Sequence, residues 1–186
     1  MGMDAGLVAA INIVAEVGQR MPALETEEDA KLQIIVRIMT EALGWPHSSM
    51  LAERAHETGY SDLIFRDGER NALLVEAKRL GRLEISVANK SKYRTVKLSS
   101  PALKKCKDAI EQAVGYAGPS GLPVAVVTDG VNWIIFKPHV SGEHYYDKEG
   151  FIFPSLEAVI ANFNIFFDLL SYESTQKKQY NILFDE

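Results

Sequence analysis

The sequence is poor in the residues that bind zinc or form disulfide bridges. Its 186 residues include one cysteine, Cys106, and four histidines, at positions 47, 56, 139 and 144. A lone cysteine cannot close a disulfide within the chain, and these histidines lack the short spacings of zinc ligands. Neither a disulfide framework nor a zinc site is expected, and Cys106 is predicted to pack against the core rather than to react.

Long apolar runs and nucleotide-binding motifs are also missing. No apolar run reaches the ~18 residues that a membrane-spanning helix needs, and the first residues lack a basic leader. We therefore expect no membrane partner and a cytoplasmic location. There is no G-x-x-x-x-G-K-[ST] loop, so no ATP-driven motor is expected in these residues. With 47% apolar residues, the chain is predicted to form one domain over residues 1–186.

Basic residues are the minority, but they are unevenly distributed. The chain has 20 Lys and Arg against 25 Asp and Glu, and its net charge of −5 argues mildly against a nucleic-acid partner. However, ten of the 20 lie between Lys78 and Lys107, where Glu84 is the only acid. Such a run is often a solvated loop, yet this one also carries hydroxyl residues able to bond phosphate oxygens. The residues predicted to bind nucleic acid are Arg79, Arg82, Lys90, Lys92, Arg94, Lys97, Lys104 and Lys105.

The most informative segment is an apolar strand that ends in charged residues. Four apolar residues lead into Glu76, and Lys78 follows two positions later. Because side chains alternate along a strand, Glu76 and Lys78 are expected on one face. Asp62 begins a second β-type run, residues 62–65, and the Asp-Gly signal within residues 66–70 predicts a hairpin turn between the two runs. This pairing can bring Asp62 beside Glu76.

Two neighbouring carboxylates repel each other unless they share a proton or a cation. Oxygen ligands that leave room for water and phosphate suit Mg²⁺ or Mn²⁺. Lys78 would then orient or deprotonate an attacking water and neutralise charge on the phosphate. The alternative is a solvated edge strand with a weak Glu-x-Lys ion pair. The apolar run before Glu76 favours a central strand over that alternative.

A helix is predicted after the basic segment. Ser100 is a suitable N-cap, Pro101 suits the first helical position, and residues 118–119 (Gly-Pro) mark the end. Gln112 and Tyr116 are four residues apart and therefore share one face of this helix. Taken alone, they are an exposed glutamine and a half-buried tyrosine. Beside the acidic cluster, they could reach a metal-bound water, its lysine or the nucleic-acid backbone.

A further helix is predicted over residues 26–43. Thr26 is a good N-cap, and Asp29 stands where a capping box has its acidic partner. The predicted apolar stripe consists of Leu32, Ile35, Met39 and Leu43. Glu27 and Glu28 stand at the start of that stripe. They either complement the helix dipole or supply a further metal or water ligand, and the sequence leaves both readings open.

The flanking regions are predicted to add helices. A leading helix covers about residues 5–17. A strand at 133–137 precedes a polar loop at 138–150, an apolar helix at 155–170 and a tail at 172–186. The apolar residues of that helix spread over more than one stripe, which predicts deep burial or an interface.

The ordered set of Asp62, Glu76-Ala77-Lys78 and Gln112-x-x-x-Tyr116 resembles the PD-(D/E)xK nuclease superfamily. It is most similar to the nuclease domain at the N-terminus of type I restriction motor subunits and to related predicted type IV restriction proteins. Residues 26–31 and 43–45 resemble that family's first helix, and residues 124–133 resemble its late strand-turn-strand unit. The resemblance spans roughly residues 24–138, and Ser61 stands where the superfamily name has proline.

The resemblance implies a restriction-endonuclease-like α/β fold, in which helices flank a central mixed sheet, with added helical regions at 1–22 and 151–186. It also implies Mg²⁺- or Mn²⁺-dependent phosphodiester hydrolysis. The implied roles are metal ligation by Asp62, Glu76 and the Ala77 carbonyl, water activation by Lys78, an accessory function for Gln112 and Tyr116, and a helix carboxylate at Glu27 or Glu28.

Two functions follow as hypotheses. The first is a metal-dependent endonuclease that acts on DNA in restriction or defence against foreign DNA, as a homodimer or within a larger restriction assembly. The second is a catalytically silent, nuclease-like module that binds nucleic acid or a partner. The complete Asp62, Glu76 and Lys78 set favours the first, because a module without catalysis has no need to cluster like charges.

Overall fold

One mixed β-sheet forms the centre of the protein. The computed structural model describes residues 1–56, 59–140 and 142–185, and the side chains of residues 53–62 and 185 also lie outside the described part. The strands are β1 (Met50–His56), β2 (Gly59–Asp67), β3 (Arg70–Ala77), β4 (Arg94–Lys97), β5 (Val124–Thr128), β6 (Trp133–Phe136) and β7 (Glu149–Phe153). Within these ranges the strand order is β1-β2-β3-β5-β6-β7-β4. The expected mixed α/β class with a central sheet is confirmed.

Helices cover both faces of this sheet. They are α1 (Met3–Arg20), α2 (residues 27–42), α3 (Lys107–Ala117), α4 (Leu156–Ala161), α5 (Phe163–Leu170), α6 (Tyr172–Gln176) and α7 (Gln179–Asp185). Short 3₁₀ turns lie at Met21–Ala23, His47–Ser49, Pro101–Cys106 and Tyr145–Asp147. No helix in these ranges is long and apolar enough to cross a membrane.

The predicted hairpin is confirmed. Strands β2 and β3 pair antiparallel, with Asp67 opposite Arg70 at the turn. Gly68 has a φ of 60°, which only glycine adopts without strain in such a tight turn. On its other side, β3 pairs in parallel with β5, so that Ala77 lies opposite Thr128. Because β3 has a neighbour on both sides, the edge-strand alternative is wrong.

The strand directions define one end of the sheet. Ala77 and Thr128 end the parallel strands β3 and β5, and Trp133 at the start of β6 lies opposite Phe153 at the end of β7. We call this the carboxyl end of the sheet. The antiparallel partner of β7 is β4, where Arg94 pairs with Ile152 and Lys97 pairs with Glu149. Lys97 therefore lies three residues, about 10 Å, further from the carboxyl end than the first residue of β4.

The two faces of β3 bury different side chains, as predicted. Val75 and Ala77 belong to the core under α1, α2 and the C-terminal helices. Leu74 belongs to the second core, under α3 and the Pro101–Cys106 turn. Cys106 is fully buried in that second core, and burial raises the pKa of its thiol to about 11. Its predicted packing role is confirmed.

The predicted apolar stripe of α2 is partly wrong. The segment is α-helical at Glu27–Ala30 and π-helical at Lys31–Ile35 and Ile38–Ala42. Of the four stripe residues, Leu32 is 52% exposed, whereas the other three are buried. A π-helical turn closes hydrogen bonds from i to i+5, so the α-helical spacing no longer places residues on one face. Lys31, which is 7% exposed, takes a buried position instead.

The second half of the chain also differs from prediction. The expected helix at 155–170 breaks at Asn162, whose φ is −128°, and divides into α4 and α5. The expected loop at 138–150 and the basic segment contribute β7 and β4, which pair with each other. The predicted tail forms α6 and α7. The sheet therefore extends beyond residue 138, the predicted boundary of the core.

Replacing Trp45 with phenylalanine tests how the C-terminal helices are held. Trp45 is 1% exposed, its indole nitrogen donates to the Leu170 carbonyl at 2.8 Å, and its ring packs 5.2 Å from that of Phe65. The variant loses that hydrogen bond and leaves a void, so we expect a loss of about 2–3 kcal/mol. Thermal denaturation should show a melting temperature lower by roughly 4–10 °C. His47→Ala, at an exposed neighbour, is the control and should melt like the wild type.

Candidate active site

A buried ion pair lies at the carboxyl end of β3. Glu76 is 1% exposed on this central strand, and Lys78 Nζ donates to Glu76 Oε1 at 2.6 Å. The Lys78 backbone N–H donates to the Thr128 carbonyl at 2.8 Å, which continues the pairing with β5 past the end of the strand. A buried carboxylate costs several kcal/mol without compensation, and the ammonium group provides it here. The predicted common face of Glu76 and Lys78 is confirmed.

Helix α3 extends this ion pair into a chain of four side chains. Lys78 Nζ donates to Gln112 Oε1 at 3.1 Å, and Gln112 Nε2 donates to Tyr116 Oη at 3.1 Å. Tyr116 is 6% exposed, and the spacing of four residues places both side chains on one helix face. The amide of Gln112 therefore joins the lysine to the phenol. Of the residues predicted to be catalytic, Glu76, Lys78, Gln112 and Tyr116 are brought together.

The predicted metal ligands are described only in part. The Asp62 side chain lies outside the described residues; its backbone belongs to β2, next to Leu63, which pairs with Val75. The approach of Asp62 to Glu76 therefore stays a prediction. Ala77 is fully buried and is the last residue of β3. Metal ligation by the Ala77 carbonyl likewise stays a prediction.

Glu27 and Glu28 lie on α2, which packs against the face of the sheet opposite to α3. The predicted capping box is confirmed, because Thr26 Oγ1 accepts from the Asp29 backbone N–H at 3.0 Å and Asp29 Oδ2 accepts from the Thr26 N–H at 2.9 Å. Glu28 Oε2 accepts from the buried Lys31 Nζ at 3.0 Å. The described contacts thus join Glu28 to Lys31 rather than to the chain of four side chains.

Asp129 is a positioning residue that the sequence analysis missed. It is fully buried in the β5–β6 turn, and its Oδ2 accepts from the backbone N–H groups of Gly81 at 3.1 Å and Leu83 at 3.3 Å. Its Oδ1 accepts from Val131 at 3.1 Å and Asn132 at 2.7 Å. Burial raises the pKa of Asp129, and these hydrogen bonds oppose the increase. One carboxylate thereby fixes the loop that follows Lys78.

A polar groove opens beside Lys78. One cavity, of about 200 Å³, is lined by Lys78, Arg82, Leu83, Lys105, Asp108, Ala109 and Gln112. A second, of about 420 Å³, is lined by Arg79, Gly81, Arg82, Glu84, Lys104, Lys105 and Asp108. The two cavities share Arg82, Lys105 and Asp108, and we treat them as one groove, the Arg82–Lys105 groove. Four of the residues predicted to bind nucleic acid therefore line this groove, and two of them, Arg82 and Lys105, line the cavity that includes Lys78.

Of the other predicted nucleic-acid-binding residues, two lie in the connection from β3 to β4 and two lie in β4 itself. Lys90 lies at the carboxyl end of β7, because its carbonyl accepts from Ser155 Oγ at 2.6 Å. Lys92 follows in the same connection, and Arg94 begins β4. Strand β4 is four strands away from β3, roughly 19 Å at the usual strand spacing. Lys97 lies further along β4, towards the opposite end of the sheet.

The oxygen donors near β3 have the chemistry that Mg²⁺ prefers. A carboxylate from Glu76 and a backbone carbonyl from Ala77 are hard ligands, and Mg²⁺ commonly takes one or two carboxylates and keeps several waters. Among the described side chains, no group of three or more His, Cys, Asp or Glu residues could hold a metal ion. That statement does not cover Asp62, which is the remaining predicted ligand.

The chain matches no protein-family model, no curated protein and no solved structure. The class that the fold establishes is therefore mixed α/β with a seven-stranded sheet over the described ranges. The nuclease resemblance rests on the residues of the site itself.

Proposed function

We propose that this chain is a metal-dependent endonuclease that hydrolyses phosphodiester bonds in DNA, with a restriction-endonuclease-like core. The observation that carries the proposal is the hydrogen-bonded chain Glu76–Lys78–Gln112–Tyr116 at the end of a central strand. Hydrolysis of a phosphodiester requires positive charge at a phosphate and a positioned proton-transfer group. The Arg82–Lys105 groove supplies further positive charge next to this chain.

Each described residue has a distinct task in this proposal. Mg²⁺ or Mn²⁺, held by Asp62, Glu76 and the Ala77 carbonyl, would supply Lewis-acid chemistry at the phosphate. Lys78 orients the attacking water through its ammonium group and stabilises the negative charge that develops on the phosphoryl oxygens. Gln112 accepts from Lys78 Nζ and so restricts where the ammonium group points.

Tyr116 in turn supports the amide of Gln112. Its hydroxyl accepts from Gln112 Nε2, which leaves Gln112 Oε1 directed at the lysine. The buried position of Tyr116 limits the number of rotamers that this pair can adopt. The chain thereby holds the lysine in one orientation before substrate arrives.

Supercoiled plasmid provides the test of this function. Wild type should convert it to nicked and linear forms in Mg²⁺ or Mn²⁺, and EDTA should stop the conversion. Asp62→Asn should remove the activity, because it replaces a metal-binding carboxylate with a neutral amide. Asp67→Asn, at the other end of β2, is the matched control and should cleave like the wild type.

Equal cleavage by wild type and Asp62→Asn would point to a contaminant or to a different site. The 2.6 Å contact between Glu76 and Lys78 favours a second candidate, a silent nuclease-like module in which the ion pair is structural. Salt-sensitive DNA binding without cleavage in any divalent metal would support that candidate.

A further inference from the structure

The Arg82–Lys105 groove combines positive charge with a direct opening to the ion pair. Its lining includes five cations, Lys78, Arg79, Arg82, Lys104 and Lys105, and two acids, Glu84 and Asp108. Its two cavities share Arg82, Lys105 and Asp108; Gln112 on α3 lines the first cavity, and Arg79 on the loop after β3 lines the second. A chain of phosphates that reaches Lys78 would therefore pass directly over these cations.

The shape of the groove is set by buried structure, although its cations are exposed. The loop that carries Arg82 is anchored where Gly81 and Leu83 donate to Asp129. On the other wall, Ser86 donates its backbone N–H to the Ala102 carbonyl at 2.9 Å, which joins the loop to the Pro101–Cys106 turn. The cations are thus presented from two fixed segments, which lowers the entropy that binding must overcome.

Glu84 is the acid that competes for this positive charge. Its Oε2 accepts from Lys105 Nζ at 2.6 Å, and both side chains are more than half exposed, at 53% and 63%. The hydrogen bond from Lys105 lowers the pKa of the Glu84 carboxyl, and the charge of Lys90 lowers it further. An exposed ion pair of this kind is weak and exchanges readily for a better anion.

Building on the proposed function, we propose that the groove binds the phosphates of the cleaved DNA strand next to the reacting bond. In the free protein the Glu84 carboxylate forms an ion pair with Lys105, and a DNA phosphate replaces that carboxylate when the strand enters the groove. Removing Lys105 and Arg82 therefore weakens binding, whereas neutralising Glu84 strengthens it. A general effect of net charge predicts the same signs, so matched substitutions outside the groove are needed to separate the two.

Fluorescence anisotropy with a short labelled DNA duplex, in EDTA and over a series of KCl concentrations, measures binding without cleavage. The double variant R82A/K105A should raise Kd by roughly tenfold or more and reduce the slope of log K against log salt by about 2, because each phosphate contact contributes about 0.9. Arg20→Ala, which removes an exposed cation from the end of α1, on the face of the sheet opposite to α3, should change Kd by less than about twofold.

Glu84→Gln should lower Kd by about threefold with little change in the salt slope, because Lys105 contacts a phosphate in both complexes but no longer has to leave a carboxylate first. Glu173→Gln is its matched control, because Glu173 on α6 also forms an exposed 2.6 Å pair, with Lys177 directly after that helix, away from the groove. Equal effects of the two substitutions would attribute the gain to net charge and overturn the proposal.

Unchanged binding by R82A/K105A, with a melting temperature equal to that of the wild type, would also overturn it. If that variant melts lower, R82Q/K105Q replaces it, because glutamine retains the side-chain stem while removing the charge. The outcome for the groove is separate from that for catalysis. Plasmid cleavage with unaltered binding in these variants would refute the groove alone, whereas the expected binding changes without cleavage would refute the endonuclease alone.

Discussion

Replacing Lys78 with methionine is expected to lower the rate of DNA cleavage by roughly a thousandfold, because it removes the group that orients the attacking water and stabilises the developing charge. Lys78 Nζ lies 2.6 Å from Glu76 Oε1 and 3.1 Å from Gln112 Oε1, at the mouth of the Arg82–Lys105 groove. Methionine preserves the length of the side chain, so the groove should keep its shape. Initial rates of plasmid nicking in Mg²⁺ measure the effect.

The same variant should lose stability when metal is absent. Lys78→Met leaves the Glu76 carboxylate, which is 1% exposed, without the ammonium group beside it, at a cost on the order of 3 kcal/mol. The melting temperature in EDTA should fall by roughly 6–12 °C. Mg²⁺ should restore part of this loss, because an ion that binds only the folded state stabilises it by mass action.

Glu76→Gln makes the complementary prediction. Cleavage should again be lost, but stability should fall less than in Lys78→Met, because the ammonium group that loses its carboxylate is 16% exposed whereas Glu76 is 1% exposed. The melting temperature of this variant should no longer respond to Mg²⁺. Lys177→Met is the control for the lysine, since its 2.6 Å pair with Glu173 is exposed and worth less than about 1 kcal/mol.

These two variants can contradict the proposed chemistry in different ways. If both variants cleave DNA as fast as the wild type, Glu76 and Lys78 have a structural role and no catalytic one. An undiminished Mg²⁺ response in Glu76→Gln would place the metal elsewhere.

The parts of the site that could be predicted from sequence depend on local rules. The Asp67-Gly68 turn predicts the β2–β3 hairpin, although a bulge between Phe65 and Arg66 shifts its register, and strand alternation places Glu76 and Lys78 on one face. The helical spacing of four residues brings Gln112 to Tyr116. None of these inferences needs knowledge of residues distant in sequence, which explains why they agree with the structure.

The missed parts depend on distant contacts or on departures from ideal geometry. Strand β4 is short and exposed, and it exists through its pairing with β7, more than fifty residues later. Lys31 is buried, and Leu32 exposed, because π-helical turns change the phase of α2. A pattern that assumes 3.6 residues per turn cannot anticipate that change.

Asp129 did carry a signal that the sequence analysis did not use. Asp129 directly follows the apolar strand β5, in the same way that Glu76 follows the apolar run of β3. A charge buried at either position has the same cost and therefore needs the same explanation. The resemblance accounts for Asp129 only as part of the strand-turn-strand unit at residues 124–133. The Asp129 carboxylate accepts from the backbone N–H groups of Gly81 and Leu83, which lie 48 and 46 residues earlier in the chain. No local rule predicts a contact between residues so far apart in sequence.

Replacing Asp129 with alanine should therefore destabilise the protein and loosen the groove together. The variant leaves four backbone N–H groups without their acceptor, at an expected cost of about 3–5 kcal/mol and a melting temperature lower by roughly 6–20 °C. Amide hydrogen exchange should accelerate at Gly81 and Leu83, which donate to Oδ2, before the sheet itself opens. DNA affinity should also fall, because the loop that becomes less ordered carries Arg79 and Arg82 of the groove.

Asp67 is the matched control, because it is also an aspartate that directly precedes a glycine of positive φ in a turn between two strands. Its described side-chain contact is a 3.4 Å bond from Gln176, so Asp67→Ala should cost less than about 1 kcal/mol. Asp129→Asn should be intermediate, since the amide keeps one acceptor but directs its own N–H groups at the remaining donors. Equal melting temperatures for Asp129→Ala and Asp67→Ala would show that the loop after Lys78 does not depend on the Asp129 carboxylate.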